Sequence, residues 1–223
     1  MKKNLIILGA LCAMTALVSL VRPVAAESTH KLELLTQEYW IWAFNEPPGE
    51  TPLEGSAPFC RQSDSGNATF LAGTWVPGVN ERSCRVDRGQ TLFLSILSSL
   101  YIAFESDPAE TKTAEAMLDF ARCPDATATV TVDGKTFDAT DSYLETEVFD
   151  FPVSEGGLLE ALLGGEQTDG AVVAGIHVLL PPLTPGDHTV SWHAETLDCG
   201  YDADGDGVVD PLVKDLVYSI HVD

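Results

Sequence analysis

Basic residues are scarce in this sequence: 12 Lys and Arg stand against 34 Asp and Glu, a formal net charge of −22. Neutralising the phosphates of a nucleic acid needs a basic surface, and anionic membranes attract the same cations. The composition therefore argues against both partners. It suits solubility, cation binding and a saline medium that screens self-repulsion. Catalytic signatures are missing as well, with no G-x-S-x-G elbow, no H-E-x-x-H pair and no glycine loop to cradle phosphate. No C-x-x-C spacing supports a four-cysteine zinc site. There is no internal repeat and no flexible linker. Past the N-terminus the longest apolar run is Leu92 to Phe104, which is too short to span a bilayer and holds three serines.

What is present begins with a leader. Lys2 and Lys3 give a positive start, Leu5 to Val21 is apolar, and Val24-Ala25-Ala26 supplies small residues where a signal peptidase cuts. Residues 1–26 read as a cleavable signal peptide, the alternative being an uncleaved anchor. Cleavage before Glu27 removes Lys2, Lys3 and Arg22, so the mature chain is more acidic still, secreted or periplasmic, and free of the membrane. Four cysteines then remain: Cys60, Cys84, Cys123 and Cys199. In an oxidising compartment they predict two disulfides, which could pair in three ways. Near-neighbour pairing favours Cys60–Cys84 and Cys123–Cys199.

Leu32, Leu35, Tyr39 and Trp42 recur at helical spacing, with Ser28 or Thr29 as cap and Pro47-Pro48-Gly49 as stop. Residues 68–75 and 81–86 read as strands, and Thr91 to Phe104 as a longer strand or a buried helix. Asp107-Pro108 opens a helix to about Arg122, with Ala116, Met117 and Phe120 on its apolar side. Beyond Pro124 the pattern is β. Ala128–Val132 and Lys135–Phe137 flank an Asp133-Gly134 turn of the kind that makes tight hairpins. Tyr143–Phe151, Ala171–Leu180, Asp187–Glu195 and Leu212–Val222 follow as strands, with a loop at 155–165 that has room for one helical turn. The expected fold is mainly β: one immunoglobulin-like β-sandwich domain over residues 27–223, with two helical additions, an N-terminal helix and a helix near 108–122.

The pattern Trp40-x-Trp42-Ala43, then Cys60-x-Gln62-x-x-x-Gly66-x-x-x-Phe70-Leu71-Ala72-Gly73-Thr74, is followed by Arg82-x-Cys84-x-Val86-x-x-Gly89-x-x-Leu92-Phe93. With Leu183-x-Pro185-Gly186-x-His188-Thr189, it resembles a group of exported bacterial β-rich proteins of unknown function. The resemblance covers most of the mature chain and implies an exported single-domain β-rich protein. It transfers no catalytic residue. The acidic insert at 198–210 departs from the group's pattern.

That insert is the one motif with chemistry. Asp202, Asp204, Asp206 and Asp210 occupy loop positions 1, 3, 5 and 9, Gly207 position 6, and Val208 offers a carbonyl at position 7. Alternating oxygens around a glycine turn are what calcium takes. Position 12 is Val213 rather than a bidentate Glu, and the flanks read as strands, which points to a structural calcium ion rather than a regulatory EF-hand. The plainer alternative is an acidic turn without an ion. Other groups read as background. His177, His188 and His193 lie on strands, with His188 and His193 on opposite faces. Tyr39, Trp40 and Trp42, with Trp75, read as core before sugar platform, and Arg82, Arg85 and Arg88 as partners of local carboxylates. The function this implies is a non-catalytic, disulfide-braced, calcium-binding surface or extracellular binding module for an unidentified extracellular ligand. The alternative is a secreted hydrolase whose site would be walled by the loops at 45–66 and 154–169.

Overall fold

A computed structural model describes residues 27–54, 58–75, 78–164, 166–197 and 211–223. The chain opens with helix α1 (Glu27–Asn45), followed by β1 (Cys60–Gln62), β2 (Ala68–Leu71), β3 (Gly78–Val86) and β4 (Thr91–Phe104). A 3₁₀ turn (Ala109–Lys112) leads into α2 (Ala114–Ala121), then β5 (Thr127–Val132), β6 (Lys135–Asp138) and β7 (Tyr143–Glu145). Helix α3 (Leu158–Leu163), β8 (Thr168–Leu180), β9 (Gly186–Thr196) and β10 (Leu212–Val222) complete it.

The strands form two five-stranded sheets, β1-β2-β4-β8-β7 and β3-β10-β9-β5-β6. Pairing is antiparallel except for β2 with β4 and β3 with β10. The central strands of the first sheet are buried on both faces, which is why β4 and β8 read as continuous apolar runs. One face packs Leu92, Leu94, Ile176 and Val178 against Val190, Trp192, Leu216 and Tyr218 of the second sheet. Farther along, the same face is covered by Met117, Leu118 and Ala121 of α2. The opposite face lies under Leu35, Tyr39 and Trp42 of α1 and Leu159 of α3. The second sheet has one covered face only, so its strands alternate cleanly between buried and exposed.

The mid-strand register of β4 is broken by a bulge between Ser95 and Leu97. Before it, Leu92, Leu94 and Ile96 face the second sheet. After it the parity changes, so Leu97, Tyr101 and Ala103 take that side while Leu100 and Ile102 turn to α1. Ile96 and Leu97, consecutive yet both packed into the core between the sheets, mark the change.

Several expectations are corrected in detail. Ser28 and Thr29 lie inside α1 rather than capping it. The helix near 108–122 is a 3₁₀ turn and a shorter α2, capped by Thr113, whose hydroxyl accepts a hydrogen bond from Ala116 N. Its buried residues are Met117, Leu118 and Ala121, while Phe120 is exposed and stacks on Tyr101 at 5.1 Å. The stretch Tyr143–Phe151 is only a short strand plus a single bridge at Phe149. The Asp133-Gly134 turn is as expected, with both residues at positive φ (48° and 76°).

Cys60 and Cys84 form a disulfide joining β1 to β3, the edge strands of the two sheets. The sequence separation is 24, so in the chain-entropy account its loss costs about 3 kcal/mol. A Cys60→Ser/Cys84→Ser variant is expected to unfold at a lower urea midpoint, with a somewhat steeper slope because its unfolded chain is less compact. Coincident midpoints would show that β10 alone holds β3. Cys123 is also disulfide-bonded; Cys199, its expected partner, lies outside the described residues. Among the described residues no helix is long and apolar enough to cross a membrane.

Candidate functional site

The aspartates expected to bind calcium, Asp202, Asp204, Asp206 and Asp210, lie outside the described residues, as does Val208. β9 and β10 pair in register up to Thr196 opposite Leu212, so the intervening chain leaves and re-enters adjacent strands. At the base, the Asp125 carboxylate accepts hydrogen bonds from Thr196 Oγ1 (2.6 Å) and Leu197 N (2.7 Å). This pins the departing strand beside the start of β5. Among the described residues no three metal-ligating side chains converge.

A depression of about 490 Å³ lies at the opposite end of the second sheet, where Ser83, Arg85, Asp133, Asp187, Thr189 and His221 meet. Strand register builds it: Arg85, His221 and Asp187 form one row across β3, β10 and β9. His221 Nδ1 lies 2.6 Å from Asp187 and its Nε2 lies 3.7 Å from Asp223, which also pairs with Arg85 at 2.6 Å. His188 Nδ1 lies 2.7 Å from Asp133, and its Nε2 lies 2.7 Å from the Thr184 carbonyl. Its hydrogen bond to Asp133 raises the His188 pKa, and the same bond holds the Asp133 carboxyl below its usual range. The groove therefore offers mutually paired polar groups on an open face.

A second, smaller pocket of about 220 Å³ lies where α1 meets the end of the sandwich. Trp40, Phe44, Trp75 and Leu100 supply its apolar wall, and Ser95, Ser98, Ser99 and Lys214 its polar groups. Tyr39 reaches it from α1 with its hydroxyl accepting a hydrogen bond from Gly73 N at 2.8 Å, and burial pushes that phenol up to about 12. Ser95 and Ser98, either side of the β4 bulge, share a hydrogen bond of 2.8 Å. Lys214 stands on the side of β10 that carries Leu216, Tyr218 and Ile220 into the core. Burial lowers its pKa to about 8, with no charged neighbour contributing.

Sequence reasoning placed several groups correctly. Tyr39, Trp40 and Trp42 are core, at 1%, 8% and 3% exposure, and only Trp75 remains open, at 41%. His188 and His193 do face opposite sides. Arg85 finds a carboxylate in Asp223, but Arg82 does not. It is buried, donating from Nη1 to the carbonyls of Ala72 (2.8 Å) and Gly73 (2.7 Å), with its guanidinium 4.3 Å over the Phe59 ring. Of the loops proposed as hydrolase walls, the smaller pocket takes only Leu53 from 45–66 and nothing from 154–169, and its lining holds no histidine and no carboxylate. Lys214 was missed, although a lysine at core parity in an alternating strand was a readable signal. No family model matches the chain, and no curated protein and no solved structure matches it either.

Proposed function

We propose that this protein is an exported, disulfide-braced, calcium-binding module of immunoglobulin-like topology that binds an extracellular ligand without catalysing a reaction. The observation that carries the reading is the pairing of Thr196 with Leu212. It makes the chain between β9 and β10, which carries the aspartates, start and end on neighbouring antiparallel strands. A cation held there ties β9 to β10, where four carboxylates in one short loop would otherwise repel one another.

The strand order supports the topology. β4-β8-β7 in one sheet and β3-β10-β9-β5-β6 in the other is the order of B-E-D facing A′-G-F-C-C′. The disulfide suits an oxidising compartment, in keeping with residues 1–26 as a signal peptide. The open face of the second sheet, with its groove, is the surface offered to the ligand.

The test is a thermal melt of the mature oxidised chain in millimolar calcium and in chelator. Calcium at a hundred times its Kd stabilises by about 2.7 kcal/mol through mass action, raising Tm by roughly 5–11 °C for a chain of this size. Asp202→Ala/Asp206→Ala is expected to melt identically in both buffers. A wild-type melt indifferent to calcium would reduce the loop to an acidic turn.

A further inference from the structure

We propose that the pocket between α1 and the sandwich end is a binding site for a small organic carboxylate, held by the Lys214 ammonium with its apolar part against Trp40 and Trp75. The proposal rests neither on calcium binding nor on the groove of the second sheet, and stands or falls without them.

In a chain with 34 acidic and 12 basic residues, a lysine is seldom far from a carboxylate. Lys112, for example, lies 2.6 Å from Asp169, and Arg122 engages Glu115, Asp119 and Glu145 together. The Lys214 ammonium makes no ion pair and no hydrogen bond with any described residue, and desolvation is the sole influence on its pKa. An ammonium drawn away from water costs free energy unless it is paired. At this core-parity position an apolar side chain would pack without that cost. The exception is explained if the partner is a ligand.

The remaining walls fit such a ligand. Trp75 is an exposed aromatic at the rim, and Trp40, Phe44 and Leu100 line the interior, a surface that takes a ring or a short alkyl chain. The Ser99 hydroxyl has no protein partner and is available to a carboxylate oxygen. At about 220 Å³ the pocket is smaller than sites for drug-sized molecules, which run from roughly 300 to 1,000 Å³. It therefore suits an occupant of one ring, and the absence of carboxylates from its lining favours an anion.

The experiment titrates benzoate into the mature, disulfide-intact protein, reading tryptophan fluorescence and calorimetry at pH 7. Saturable one-site binding is expected, weakened about tenfold or more in Lys214→Met, since a charge-assisted hydrogen bond contributes about 1.5–3 kcal/mol. Lys214→Arg, which keeps the charge, is expected to retain part of the affinity. Binding should also weaken as pH rises above about 8, where the free lysine loses its proton. Lys214→Met replaces a partly buried charge by an apolar chain of similar length, so its fold is expected to persist, and its circular dichroism and melt establish that. No saturable binding by wild type up to 10 mM benzoate, or equal affinity in folded Lys214→Met, overturns the proposal. Chloride competing as well as benzoate overturns the carboxylate assignment.

Discussion

Acidification from pH 7 to pH 4 is expected to cost this fold about 3 kcal/mol through a single side chain, His177. His177 lies on β8 beneath α1, fully buried, stacked on Phe93 at 5.7 Å, with neither ring nitrogen hydrogen-bonded. Burial alone lowers its pKa to about 3, against 6.5 for the free side chain. Between those values the unfolded chain binds a proton that the folded chain refuses. The stabilisation is therefore whole above pH 6.5 and declines as pH falls toward 3. His177→Phe keeps a ring against Phe93 and removes the titration. At pH 7 it is expected to match or exceed wild type, because two unpaired buried nitrogens disappear. At pH 4 the gap should widen to roughly 6–12 °C in Tm. Asp133 also has a depressed pKa, but it titrates in both proteins, so the difference between the two pH profiles isolates His177. Parallel profiles from pH 7 to 4 would refute the assignment.

Gly175→Ala is expected to destabilise by about 3 kcal/mol or more, enough to lower Tm by roughly 10 °C. Gly175 lies just past the bulge in β4, in register with Ser98, at φ 150°. A methyl group there would come within 2.4 Å of both the Leu97 carbonyl oxygen and Ser98 Cα. Those are backbone atoms at the point where β4 changes parity, so they cannot swing aside as a side-chain end would. Both the overpacking and the strained backbone then count against the variant. Gly164→Ala is the matched control. Its φ of 63° is also positive, but nothing lies within 4 Å of the added carbon, so only the backbone cost of about 1 kcal/mol applies. Equal losses in the two variants would mean that the close approach to β4 has no energetic consequence.

The same bulge shows where reading the sequence ended. β10 was legible to the residue, because a sheet with one wet face prints its period of two directly into the chain. The β5–β6 hairpin was legible from its Asp133-Gly134 turn. β4 matched in extent, but nothing in its apolar run marks the residue at which inside and outside exchange, since both faces of that sheet are covered. The face of α2 was misjudged for a related reason: Phe120 looked like core but stacks on Tyr101 at the surface, while Leu118 took the buried place. The Cys60–Cys84 pairing followed from proximity in the chain. The smaller pocket had no local signature, because its groups come from α1, the Thr74–Trp75 segment, the β4 bulge and β10. They meet only once the sandwich has closed.

The parallel pairing of β3 with β10 governs the order in which the molecule can assemble. Among the described residues β3 has no other strand partner, so it waits with an open edge until residues 212–222 have been made and delivered. Contacts this distant in sequence form late, and an unpaired edge is an invitation to association with other chains. The bond between Cys60 and Cys84 spans a much shorter stretch of chain and needs nothing from the C-terminal end. Once formed, that bond moors β3 against the first sheet in advance, leaving the final strand a prepared slot between β3 and β9.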